Sequence, residues 1–286
     1  MFNYILYRLG QFIALSLPLK LGYRVAVFIC GLRYIFAYKD RKIVTENLKA
    51  IFPLKTSREI RKIRIAVFRN FAKYLIDFFR FERLNLEYVK ENIKLENTYY
   101  IDKALSKGKG VIILSAHIGN WELGGVVVAL LGYPFWAVAL VHKHKRVNDF
   151  FNSQRASKGM KVIPLGRAVR ASLDILKNNG VLALAGDRDF SERGIVVDFF
   201  GRPAILPQGP AALSLKTGAS IVPGFMTRNN DDTFTLRFEE PFEAAAGLNK
   251  NDCLMQLIRR CTNIIENYII EYPEQWYMFR QFWKEA

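Results

Sequence analysis

The sequence predicts an α/β protein whose mixed, mostly parallel central sheet is flanked by helices and preceded by an apolar helical region. Three observations carry that expectation. From Gly110 onward, short β-branched apolar runs alternate with helical stretches, the pattern of strands joined by crossover helices. The run Val111–Leu114 has no polar face at all, as expected of a strand buried on both sides. Upstream, Phe2–Tyr38 is dense in Leu, Ile, Phe, Tyr and Val and broken by Arg8, Lys20, Arg24 and Arg33.

Taken in order, Phe2–Tyr38 predicts two helices lying in a membrane interface, with Arg and Lys stems snorkelling to headgroups. Packing of the same helices on the domain is the alternative. The longest uncharged piece, Leu9–Leu19, is shorter than the ~18–20 residues of a spanning helix and contains Gln11 and Pro18. Lys39–Phe52 reads as a helix ended by Pro53, and Arg58–Arg83 as a long helix with Ser57 as its N-cap. Residues 1–40 are therefore set apart as a membrane-associating region, and 41–286 as the α/β domain.

The predicted strands are Val111–Leu114, Phe135–Val141, Lys161–Pro164, Val181–Ala185, Ile221–Phe225 and Thr233–Phe238. Between them fall helices at Trp121–Leu131, Arg146–Lys158 and Ala168–Asn178. Phe199–Ala212 reads as a rigid Gly/Pro loop leading into a helix over Ala211–Lys216. Asn249–Glu271 is a long helix followed by the aromatic, basic tail Pro273–Lys284.

The 286 residues are 51% hydrophobic, enough for a sizeable core, and carry a formal charge of +16. Such a charge calls for an anionic partner: a membrane surface, an acidic protein or a nucleic acid. A compact patch with a nucleic-acid reader motif is absent, so a non-catalytic basic binding protein ranks lower and no nucleic-acid partner is expected. Cys30, Cys253 and Cys261 have no metal spacing and read as reduced thiols. The lysines interleaved with His142 and His144 argue against a metal there, and no metal or other cofactor is expected.

The chemistry concentrates in Gly110–Gly125, GVIILSAHIGNWELGG. Strand, turn and helix follow one another, with His117 in the turn and Glu122 in the first turn of the helix. Residues five apart on a regular helix are rotated by roughly 140°. His117 thus meets Glu122 only from outside the helix, and Gly119 supplies the left-handed turn this needs. A carboxylate on one ring nitrogen fixes the tautomer and frees the other nitrogen as a base, with a substrate hydroxyl as nucleophile. A capping histidine is the competing reading. Further polar residues lie where loops leave strands, which is where open α/β sheets hold ligands. These are Arg155 ahead of Gly159, Asp187 and Arg188 in GDRDF, where a salt bridge sealing the sheet is the alternative, Asn120 in the turn, and Gly209 at a helix N-terminus suited to an anion.

Together TENLKAIFP, HIGNWE, RASKG, GDRDF, VDFFGRPAILPQGPAALSLKTGA and IVPGFMTR resemble, over nearly the whole chain, the bacterial lipid A biosynthesis acyltransferases. That family lies within the lysophospholipid and glycerolipid acyltransferase superfamily. The resemblance implies transfer of a fatty acyl chain from acyl carrier protein or acyl-CoA to a hydroxyl of a lipid A precursor or related glycolipid. It also implies work at the cytoplasmic face of the bacterial inner membrane, held peripherally or by a single N-terminal anchor. By the same resemblance His117 is the general base, Glu122 its orienting carboxylate, Arg155 a substrate-binding arginine, and Asp187 the acid after the later strand. The acidic–Arg–Asp element and the following VDFFG also resemble phosphatidylinositol mannoside acyltransferases, which leaves the acceptor open.

Overall fold

A computed structural model describes residues 2–190, 194–244 and 249–283; Lys284, the last residue of the expected tail, lies outside them. The chain opens with four helices: α1 (Phe2–Ser16), α2 (Leu19–Phe36), α3 (Tyr38–Ile51) and α4 (Ser57–Phe79). Then come α5 (Leu86–Asn92), β1 (Ile93–Glu96), α6 (Tyr99–Leu105), β2 (Val111–Ser115) and α7 (Trp121–Leu130). They are followed by β3 (Phe135–Ala139), α8 (Lys145–Ala156), β4 (Lys161–Pro164), α9 (Ala168–Lys177) and β5 (Val181–Ala185). The remainder is β6 (Ile195–Phe199), β7 (Arg202–Leu206), α10 (Gly209–Thr217), β8 (Ser220–Arg228), β9 (Phe234–Phe238) and α11 (Lys250–Glu271).

Seven strands form one sheet in the order β1-β9-β8-β2-β5-β3-β4. Strands β8, β2, β5, β3 and β4 run parallel, while β9 is antiparallel to β8 and carries β1 on its outer side. The expected α/β sheet is therefore present, mixed only at one end. Strand β2 is central and its residues alternate between two cores. Val111 and Ile113 pack with Val126, Val127 and Phe234 on one face. Ile112 and Leu114 pack with Leu176, Ile258 and Ile265 on the other. An all-apolar strand is stable only in such a doubly covered position.

Three local readings change. The cap of α4 is Thr56 instead of Ser57: its hydroxyl accepts from Glu59 N, and the Glu59 carboxylate accepts from Thr56 N at 2.8 Å, a reciprocal capping box. Helix α10 begins at Gly209, two residues earlier than expected, with Pro210 in its first turn. The stretch expected to be a rigid loop holds strand β7, paired antiparallel with β6 through the turn Phe200–Gly201. Pro203 argued against a strand, but a two-stranded ribbon has a free edge where a missing N–H costs nothing.

The N-terminal helices pack onto α4. Arg80 donates to the carbonyls of Ala14 and Leu17, and Arg83 to that of Leu15, so cationic side chains satisfy the last carbonyls of α1. The outward face remains apolar: Phe12 is 68% exposed, Phe28 67% and Phe36 85%. No single helix among the described residues is long and apolar enough to cross a membrane; α2 and α3 meet at a bend of 93°.

Candidate active site

Strands β2 and β5 are neighbours in parallel register, Val111 opposite Val181 through Ser115 opposite Ala185. Two residues past each strand end, the same register sets His117 opposite Asp187. The His117 Nδ1–H donates to Asp187 Oδ1 at 2.7 Å, and the backbone N–H of His117 donates to Asp187 Oδ2 at 3.0 Å. Trp276 Nε1–H completes the cradle at 3.2 Å from Oδ2. Asp187 is fully buried, which by itself would raise its pKa. The His117 ring, Arg188 and the hydrogen bonds outweigh burial and hold the carboxyl at about 2. An ionised carboxylate only accepts, so Nδ1 carries a proton, and in the neutral ring Nε2 is the nitrogen with the lone pair. The histidine side chain is 17% exposed, enough for a ligand to reach the ring.

The turn behind His117 is held from two sides. Gly119 adopts φ +60°, donates to Gln275 O at 2.9 Å, and is followed by Asn120 N donating to Met226 O at 2.8 Å. Tyr277 N donates to His117 O at 3.0 Å. A Cβ on Gly119 would stand 1.9 Å from Met226 O, inside any permitted contact. Gly119→Ala is expected to destabilise the fold by on the order of 3 kcal/mol or more, from the left-handed backbone and the clash together. The midpoint of urea unfolding checks this.

The expected pairing of His117 with Glu122 is corrected. Glu122 is buried and both its oxygens are taken by Arg155 of α8, Nε–H at 2.8 Å and Nη2–H at 2.5 Å. Burial opposes the charge on Arg155, and the Glu122 carboxylate more than restores it, raising the guanidinium pKa. The first-turn residue that touches the histidine is Trp121, edge-on with ring centroids 4.9 Å apart. Arg155 also changes role. Its fork is filled by Glu122, its Nη1 donates to Asn152, and it is not free for a substrate anion. Asn120, expected against substrate, is buried: its Oδ1 accepts from Leu123 N and its Nδ2 donates to Asp77 Oδ2 at 3.0 Å.

Asp77, on α4, is a partner the sequence reading missed. It accepts from the Tyr23 hydroxyl of α2, from Arg228 of β8 and from Asn120. Burial pushes its carboxyl pKa up against those partners. Its signal in the sequence was only an acid inside the apolar run LIDFF. Gly209 lies near the site's end of the sheet, where Leu114 and Gly186 share a small cavity with Pro207, Pro210 and Ala211. Arg188 follows Asp187 and donates through Nη2 to Tyr277 O. Of the seven residues marked in the sequence, the structure brings His117 and Asp187 together and sets Arg188 beside them. Glu122, Arg155 and Asn120 form the supporting layer behind.

A base–carboxylate pair with an open ring nitrogen, on a turn at the carboxyl edge of parallel strands, can take a proton from a bound hydroxyl. In sequence the chain is similar to acyltransferases. The phosphatidylinositol mannoside acyltransferase of Mycobacterium tuberculosis is 28% identical over 202 residues, 68% of this chain and 64% of that protein. This chain thus aligns to somewhat under two thirds of that relative's length. The protein of the same name from Mycolicibacterium smegmatis is 25% identical across 90% of this chain and 84% of its own. A lipid A biosynthesis acyltransferase of Haemophilus influenzae is 21% identical across 84% and 74%. The model of the bacterial lipid A biosynthesis acyltransferases matches residues 2–285, and the chain belongs to that family.

Proposed function

We propose that this protein transfers a fatty acyl group from an acyl thioester to a hydroxyl of a glycolipid, with His117 as general base and Asp187 as its orienting carboxylate. The observation that carries the reading is the His117 Nδ1–Asp187 contact of 2.7 Å, which leaves Nε2 unengaged by the carboxylate on a side chain that is partly exposed. In the reaction, Nε2 takes the acceptor hydroxyl proton as the oxygen attacks the thioester carbonyl. The tetrahedral oxyanion collapses, the C–S bond breaks, and Nε2 returns its proton to the departing thiolate. No acyl-enzyme forms, because the substrate supplies the nucleophile.

The donor is acyl-CoA or an acylated carrier protein, either of which suits a chain of charge +16. The acceptor is a lipid A precursor or a phosphatidylinositol mannoside, the two classes named in the relatives. Residues 1–40 bring the site to the cytoplasmic face of the inner membrane. The exposed Phe12, Phe28 and Phe36 support that docking, as does Arg8 alongside them in the sequence.

Labelled acyl thioesters incubated with a panel of such acceptors, followed by mass analysis, test the proposal. One acyl-ester product is expected, and its rate should fall at least ~10²-fold in His117→Ala, the usual contribution of a general base. Transfer by His117→Ala at the wild-type rate would overturn the assignment.

A further inference from the structure

Among the described residues, the buried Arg155 and Arg228 are each answered by an acid, whereas the half-buried Arg188 makes no ion pair. Arg155 forks onto Glu122 and Arg228 faces Asp77. Arg188 has neither. Its Nη2 donates to the carbonyl of Tyr277, while its Nε–H is buried without a partner. The preceding acid, Asp187, has both oxygens engaged by His117 and Trp276. Burial lowers the Arg188 pKa, Asp187 partly offsets this, and Arg280 lowers it again.

Arg280 is exposed and comes from the segment that carries Tyr277. Its guanidinium carbon lies 5.6 Å from the ring of Phe190, two residues after Arg188. Its backbone carbonyl is fixed by Asn47 Nδ2 at 2.9 Å. Among the described residues neither Arg188 nor Arg280 makes an ion pair with a carboxylate. A half-buried, half-satisfied guanidinium beside a second one repels its neighbour and loses solvation, at a cost that an anion bound between them would offset.

We propose that Arg188 and Arg280 together form a receptor for a phosphoryl group of a substrate, set next to His117. Planar N–H forks suit phosphate oxygens, and the Nε–H of Arg188 has no other partner. The inference rests on the acyl-transfer reading for which substrate arrives, but the anion site itself does not. Phosphate occurs in both partners: in the phosphopantetheine arm of the donor and in the headgroup of an anionic glycolipid. In either case its capture would align that substrate's reacting atom with His117.

Steady-state kinetics of the full chain distinguish the two sources. The donor arm compares acyl-CoA with the phosphate-free acyl-pantetheine. The acceptor arm compares a phosphoglycolipid with a glycosyl diacylglycerol that lacks phosphate. Arg280→Gln, at an exposed position, and Arg188→Gln are each expected to raise KM about 10- to 100-fold for the phosphorylated member of one pair. In Arg280→Gln, KM for the phosphate-free counterpart should stay unchanged. Arg61→Gln, on the exposed side of α4, should change neither. A third arm needs no turnover: calorimetric titration with pyrophosphate, expected to show binding to wild type that the double variant loses.

Coupling to the donor phosphate assigns the site to the thioester, and coupling to the acceptor phosphate assigns it to the glycolipid. Equal KM changes in Arg280→Gln with and without phosphate, or pyrophosphate binding that survives both substitutions, would overturn the proposal. Pyrophosphate binding lost in the double variant of a chain that transfers no acyl group would uphold the anion site and remove the acyl-transfer reading instead.

Discussion

Asp187→Asn is expected to lower kcat by about 10²- to 10⁴-fold while leaving the backbone of the His117 turn in place, the range set by general-base catalysis and by the orienting acid of hydrolase triads. The amide has nearly the shape of the carboxylate and can still accept from Trp276 Nε1 or from His117 N. What it loses is the charge that fixes the ring proton on Nδ1. An amide can instead present its NH₂ to that nitrogen and so favour the tautomer with the proton on Nε2, where the base must act. Because both residues serve one proton transfer, the double variant with His117→Ala should be no slower than His117→Ala alone. Losses that multiply would mean that Asp187 acts independently of the histidine.

The same substitution has a signature in acid. The folded Asp187 pKa of about 2 lies below the ordinary 3.8, so the ionised carboxylate stabilises the native state. Its contribution, about 2 kcal/mol by linkage, is fully present above pH ~4 and is lost as pH falls toward 2. Wild type should therefore lose more stability between pH 4 and pH 2 than Asp187→Asn does, as read by denaturant midpoints at each pH.

The partner of His117 was hidden from a reading along the chain for a topological reason. Strand β5 is inserted between β2 and β3, so the acid 70 residues away ends up across from the histidine. Nothing local to HIGNWE reports strand order, and the nearest carboxylate in sequence, Glu122, was the natural choice. The features set by local physics were legible. The all-apolar Val111–Leu114 is covered on both faces, Gly119 is left-handed, and His117 stands outside helix α7. The same division explains Asp77. Its partners Tyr23, Asn120 and Arg228 come from three elements whose meeting is decided by packing, with no spacing to reveal it.

Glu122 and Arg155 make the second large prediction, because a buried ion pair and a substrate-binding arginine respond to substitution in different ways. Both side chains are almost wholly buried and joined by two hydrogen bonds. Arg155→Ala leaves the Glu122 carboxylate without its counter-charge in an apolar layer, and should cost about 3–5 kcal/mol of stability. Replacing both partners, as in Glu122→Gln with Arg155→Met, removes the charge and the need for it together. That double variant should recover most of the loss, since apolar or neutral replacements of buried pairs are often close to neutral. Activity should follow the same order, falling with the single variant and returning with the double one, because the pair acts by holding α8 against the first turn of α7, next to Trp121. A folded Arg155→Ala with wild-type stability and a raised KM would reverse the assignment and make Arg155 a substrate contact. Recovery of stability in the double variant, with KM unchanged throughout, would identify the pair as the clamp that keeps the catalytic turn in place.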